Sequence, residues 1–142
     1  MAYNVLVVDD SAVMRTMVVR TLRLSRIPLG EVVEVASGEE ALRVVETRWV
    51  HLATVDLNMP GMDGEALIQT IRANPEWSSL PIIVISSEVN DKRIERVKAQ
   101  GVAFIKKPFA PETLRKTIQS LMGDSYTDEP RQSIVSSGDL DF

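Results

Sequence analysis

The sequence predicts a doubly wound α/β fold: a five-stranded parallel sheet in (βα)5 order, with helices on both faces. Two observations lead there. Five short runs rich in Val, Ile or Leu recur along the chain with little polar alternation, as strands covered on both faces require. Apolar stripes at helical spacing lie between them, which implies parallel strands joined by right-handed crossovers. A third observation tells where to look for chemistry. Asp9, Asp10, Asp56, Ser86 and Lys107 fall where the runs stop, and ligands of such sheets bind beyond the carboxyl ends of the strands.

The elements follow in order. Val5–Val8 is the first strand, and Met14, Met17, Val18, Thr21 and Leu22 share a face of the helix after it. Residues 31–36 form the second strand. Ser37 with Glu40 three residues later is a capping box that opens a helix striped by Ala41, Leu42 and Val45. Leu52–Val55 is the third strand. In the loop after it, Gly61 suits a positive φ, and Gly64 lets the next helix begin close to the strand end. That helix buries Leu67, Ile68 and Ile71. Residues 81–86 form the fourth strand, and a weaker helix over residues 91–100, with Ile94 and Val97, stops at Gly101. Ala103–Lys106 is the fifth strand, and Leu114, Ile118, Leu121 and Met122 stripe the last helix.

Composition narrows the function classes. A chain of 142 residues, 44% hydrophobic, makes one ordinary domain with a short appendage. Cysteine is absent, which removes thiolate nucleophiles and cysteine-ligated metals and fits a reducing compartment. No apolar stretch reaches the ~18 residues of a membrane span, and the N-terminus lacks a signal-peptide layout, so a cytoplasmic protein without membrane insertion is expected. The net charge of −4 resides in residues 123–142, where Asp124, Asp128, Glu129, Asp139 and Asp141 face only Arg131. The body over residues 1–122 is neutral, and neither part has the basic stripe that nucleic acid requires. Residues 123–142 read as a flexible acidic tail whose last ten residues regain some apolar character.

The rim residues define a chemistry. Mg2+ takes oxygen ligands, typically one or two carboxylates with water and phosphate oxygens. Asp10 and Asp56, with a backbone carbonyl near Asn58, supply such ligands, and Asp9 orients a bound water. One of Asp9, Asp10 and Ser11 must also cap the first helix. Asp56 has no competing nucleophile beside it, and a carboxylate can itself attack a phosphoryl group. Phosphoryl transfer needs positioning and neutralised oxygens, which Mg2+, Lys107 and the Ser86 hydroxyl would provide. Lys107 precedes Pro108 and is biased to extended backbone. The lone histidine, His51, cannot build a histidine-rich metal site, and no phosphate-binding glycine loop, dinucleotide turn or nucleophile elbow is present.

Four separated motifs then resemble one family. Val5-Leu-Val-Val-Asp9-Asp10-Ser is similar to the acidic first turn of response-regulator receiver domains, of the single-domain chemotaxis CheY-like type. Asp56-Leu-Asn-Met-Pro-Gly-Met-Asp-Gly64 resembles their phosphoacceptor loop, Pro81–Ser87 their fourth strand, and Phe104-Ile-Lys-Lys107-Pro108-Phe109 their lysine–proline turn. The resemblance implies a flavodoxin-like, CheY-like fold over residues 1–122. It implies that Asp56 accepts a phosphoryl group from a sensor histidine kinase, with Mg2+ held by Asp10, Asp56 and the Asn58 carbonyl and assisted by Asp9. Ser86 and Phe104 would be the switch pair, remodelling the face of the fourth helix, fifth strand and fifth helix for a protein target such as the flagellar motor switch. A phosphatase is a further implied partner. Asn58 and Glu88 border the site and resemble residues linked to fast autodephosphorylation. Two alternatives stand beside this reading: a phosphate-sink receiver without an output target, and an aspartyl-phosphate phosphatase, which would want a general acid where Asn58 stands. The tail is loosely similar to the switch-protein peptide and is expected either to solubilise or to cover the protein's own output face.

Overall fold

The structure is a computed structural model that describes residues 2–122. Its elements alternate strictly: β1 (Tyr3–Val8), α1 (Ala12–Leu24), β2 (Leu29–Val35), α2 (Gly38–Thr47), β3 (Leu52–Val55), α3 (Gly64–Ala73), β4 (Ile82–Ser86), α4 (Asp91–Lys98), β5 (Ala103–Lys106) and α5 (Pro111–Met122). All strands are parallel, in the order β2-β1-β3-β4-β5. The chain therefore winds outward from β1 in one direction and then in the other, and the crevice between β1 and β3 is the switch point.

Two apolar layers enclose the sheet. Leu6, Val8, Ala53, Val55, Ile82 and Val84 point to the side covered by α2, α3 and α4. Val5, Val7, Leu52, Ile83, Ile85 and Ile105 point to the side where Val18 and Leu22 of α1 meet Leu114 and Ile118 of α5. Alternation of side chains across the pleat sorts each run between the two layers, so the central strands are mostly apolar, with Thr54 and Ser86 buried among them.

Three expectations need correction. β2 is an edge strand, with Glu31 and Glu34 exposed, rather than one covered on both faces. It begins at Leu29 because Tyr3 pairs with it and Asn4 Oδ1 accepts the Glu31 N–H at 2.8 Å. Met17 is 53% exposed, one residue off the Val18–Leu22 line that reaches the core, and with Val13 it leaves an apolar edge in solvent. Helix α4 ends at Lys98, with Gly101 at φ 77° in the turn that follows. Gly61 has φ 71°, as its turn requires. His51 is a fastener of β1 to β3: its Nδ1 accepts the Asn4 backbone N–H at 2.9 Å, and its ring meets Tyr3 edge-on.

The capping expectations divide. The Ser37 hydroxyl accepts the Glu40 N–H, while Glu40 reaches back one residue further than expected, to the Ala36 N–H. Ser11 caps α1 by accepting from Met14, which releases both aspartates before it. Asp63 and Asn90 cap α3 and α4 in the same way.

Candidate functional site

The carboxyl ends of β1 and β3 are adjacent in the sheet, so Asp9, Asp10 and Asp56 converge. One oxygen from each lies within 4.8 Å of the others. Asp9 is buried, Asp56 is 8% exposed and Asp10 faces solvent. Backbone ties fix the geometry: the Asp56 N–H donates to the Val8 carbonyl at 3.0 Å, and the Asp9 N–H donates to Val35 at 3.2 Å. The loop back into α3 passes directly over Asp56. A Cβ on Gly64 would lie 2.3 Å from the Asp56 carbonyl oxygen, so only glycine admits this approach.

Lys107 leaves the end of β5 and crosses to this cluster. Its Nζ donates to Asp9 Oδ2 at 3.1 Å and stands 3.8 Å from Asp56 Oδ1. The Lys107 N–H continues the ladder to the Ser86 carbonyl at 3.0 Å, and the Lys107–Pro108 peptide is cis. Asp9 is fully engaged: its other oxygen accepts the Ser11 N–H at 2.9 Å, and its carbonyl accepts from Arg15 at 2.7 Å. Ser86 is buried, and its hydroxyl accepts the Glu88 N–H at 3.1 Å.

Burial raises the Asp56 carboxyl above the ordinary carboxylate range, against the pull of Lys107. Asp9 raises it further, while hydrogen bonds from Ser86 and the Asn58 backbone oppose the shift. Three acids around one ammonium leave negative charge in excess, and their donors are all hard oxygens. That set fits a divalent cation such as Mg2+, which Asp9, Asp10 and Asp56 could hold. A bound cation, with the Lys107 ammonium beside it, would offset the repulsion between these acids and a tetrahedral anion on Asp56.

The remaining expected residues lie nearby with different roles. The Asn58 backbone reaches Asp56, but its side chain turns outward to Arg93. Phe104 on β5 is half-buried, beside Lys98 of α4, whose Nζ is 6.0 Å from the ring centroid. Trp49 is 77% exposed and Trp77 half-buried, far from these side chains in the fold. Residues 123–142, and with them the expected role of the tail, lie outside the described residues.

One residue escaped the sequence reading. Arg93, in the first turn of α4, donates to Asn58 Oδ1 at 2.7 Å, Glu88 Oε1 at 2.6 Å, Asp63 Oδ2 at 3.1 Å and the Leu57 carbonyl at 3.3 Å. A cation in the first turn opposes the helix dipole. Its position was the available signal that acids must surround it.

Comparison with known proteins bears on the fold and the family. The family model for the response regulator receiver domain matches residues 5–119. The "Chemotaxis protein CheY homolog" of Campylobacter jejuni is 32% identical over 122 residues, covering 84% of this chain and 92% of the relative. The rice "Two-component response regulator ORR3" is 36% identical over 115 residues, covering 80% and 86%. The structure of the Vibrio cholerae chemotaxis protein CheY4 superposes with a TM-score of 0.75 at 34% identity, covering 85% of this chain and 99% of that one.

Proposed function

Because the chain belongs to the response regulator receiver domain family, as a CheY-like single-domain receiver, we propose that it is a phosphorylation switch acting through Asp56. The carrying observation is the meeting of Asp9, Asp10 and Asp56 within 4.8 Å, with Lys107 on their open side. Receiver domains are regulatory phosphoacceptors, and the cognate donor is a sensor histidine kinase. The family match supports a receiver unit over residues 1–122, with residues 123–142 as an appended acidic segment.

In this reading an Asp56 carboxylate oxygen attacks the phosphorus of a phosphohistidine in line. A P–O bond forms, the P–N bond breaks and the imidazole leaves with its electron pair. Asp10, Asp56 and the Asn58 carbonyl would hold Mg2+, assisted by Asp9, and the ion would supply charge neutralisation of the phosphoryl oxygens. Lys107 shifts from Asp9 toward Asp56 as the new anion forms, since it already stands between them. The Ser86 hydroxyl turns from the Glu88 N–H to the phosphoryl group, and its loop follows. Phe104 responds behind it, and the face of α4, β5 and α5 changes for a protein target. The names of the bacterial relatives support a chemotaxis output, with the flagellar motor switch as the first target to test.

Acetyl phosphate with and without Mg2+, read by intact mass, is the direct test. Mg2+-dependent addition of one phosphoryl group, lost in Asp56→Asn, is expected. Label that survives in Asp56→Asn would place the acceptor elsewhere.

A further inference from the structure

Arg93 ties together two loops that flank Asp56. One guanidinium nitrogen is shared between Asn58 Oδ1 at 2.7 Å and Glu88 Oε1 at 2.6 Å. These two side chains belong to the β3–α3 and β4–α4 loops. Each is one link from the phosphoacceptor. The Asn58 backbone bonds the Asp56 carboxylate, and the Glu88 N–H bonds the Ser86 hydroxyl that also reaches Asp56. The other nitrogens of Arg93 grip Asp63 and the Leu57 carbonyl, and Glu65 lies at 3.5 Å. The Arg93 side chain is only 18% exposed, and its planar fork is held from several sides. Neighbouring Arg96, by contrast, is 60% exposed and among the described residues pairs with Glu65.

Resting on the Asp56 reading, we propose that Arg93 is a positioning residue for the phosphoryl site. It straps Asn58 to Glu88 across the pocket mouth and thereby restricts entry of both donor and water to Asp56. A strap of this kind acts on both directions of the chemistry. A mere counter-charge for an anionic donor would act on phosphorylation alone and fade with salt. Lysine separates the two, because a single ammonium keeps the charge but cannot reproduce the fork.

The experiment compares wild type, Arg93→Gln, Arg93→Lys and the control Arg96→Gln. Three quantities are measured: the rate of labelling by acetyl phosphate at saturating Mg2+, the decay of the label after the donor is removed, and amide hydrogen exchange of the unlabelled protein. Both Arg93 variants are expected to raise labelling and decay together, by about three- to tenfold, the scale of one lost charge-assisted hydrogen bond. Exchange over residues 57–65 and 86–92 should quicken, and Arg96→Gln should match wild type. Rates within twofold of wild type in both Arg93 variants would overturn the strap. So would a loss confined to labelling that Arg93→Lys restores. A wild type that takes no label would sink the Asp56 reading instead, and unchanged exchange in Arg93→Gln would then still overturn the strap.

Discussion

The Lys107 ammonium is hydrogen-bonded to Asp9, at 3.1 Å, rather than to Asp56, from which it is 3.8 Å away. The resting cation thus serves the more deeply buried of the two acids, and Asp56 receives only its longer-range field. Phosphorylation of Asp56 would reverse that order, because a dianionic phosphoryl group attracts the ammonium more strongly than a carboxylate does.

Lys107→Met should destabilise the unphosphorylated protein by about 1–3 kcal/mol at pH 7, since it strands two close carboxylates without their cation. Urea unfolding measures this. The loss should shrink as pH falls and the carboxylates protonate. A pH-independent loss would mean that lysine packing, rather than charge, was removed.

Asp56 itself is predicted to lower stability at neutral pH. Burial first, and Asp9 second, raise its folded pKa above the unfolded one. A group of that kind contributes stability below its unfolded pKa and loses it as pH rises through the folded value. Asp56→Asn should therefore be more stable than wild type at pH 7, by about 1 kcal/mol, and the gain should disappear in acid. Thermal melts across pH check the sign, and a gain that grows toward low pH would contradict it.

Mg2+ should relieve the same repulsion. At a concentration ten times its Kd it should stabilise wild type by about 1.4 kcal/mol relative to EDTA. Asp10→Asn, which removes the exposed carboxylate of the cluster, should lose most of that increment. An equal Mg2+ response in Asp10→Asn would place the ion away from these acids.

Gly64→Ala should cost about 2–3 kcal/mol, because both near contacts of the added Cβ, the Asp56 carbonyl and the Leu57 Cα, are backbone and cannot rotate aside. It should also slow labelling, since the displaced strand end is the one that carries Asp56. Normal stability with normal labelling would show that α3 can retreat freely.

Much of this was legible in the chain because burial on two faces leaves an unmistakable composition. The third strand, buried at every position, matches the sequence reading residue for residue, and so does the fifth, although it is an edge strand ending on exposed Lys106. The acidic cluster was legible for a related reason: carboxylates at strand ends face the rim whatever the loops do. The second strand was less so, since its first residues are set by pairing with Tyr3 and Asn4, more than two dozen positions earlier. The arginines were least legible. Arg72 of α3 donates to the carbonyls of Ser78, Leu80, Gln100 and Gly101, and carbonyl acceptors leave no mark in a sequence. Arg93 likewise takes its partners from loops up to 36 positions away.

Those two arginines hold opposite ends of one helix. At the carboxyl end of α4, Arg72 clamps the carbonyls of Gln100 and Gly101 from a neighbouring helix. At the amino end, Arg93 reaches the Leu57 carbonyl and several side chains, of which Glu88 is linked through its own N–H to Ser86. Were the Glu88 contact to break while the Arg72 bonds held, α4 would be free to swing about the Gln100–Gly101 turn rather than slide along the sheet, carrying Asp91 farther than Lys98.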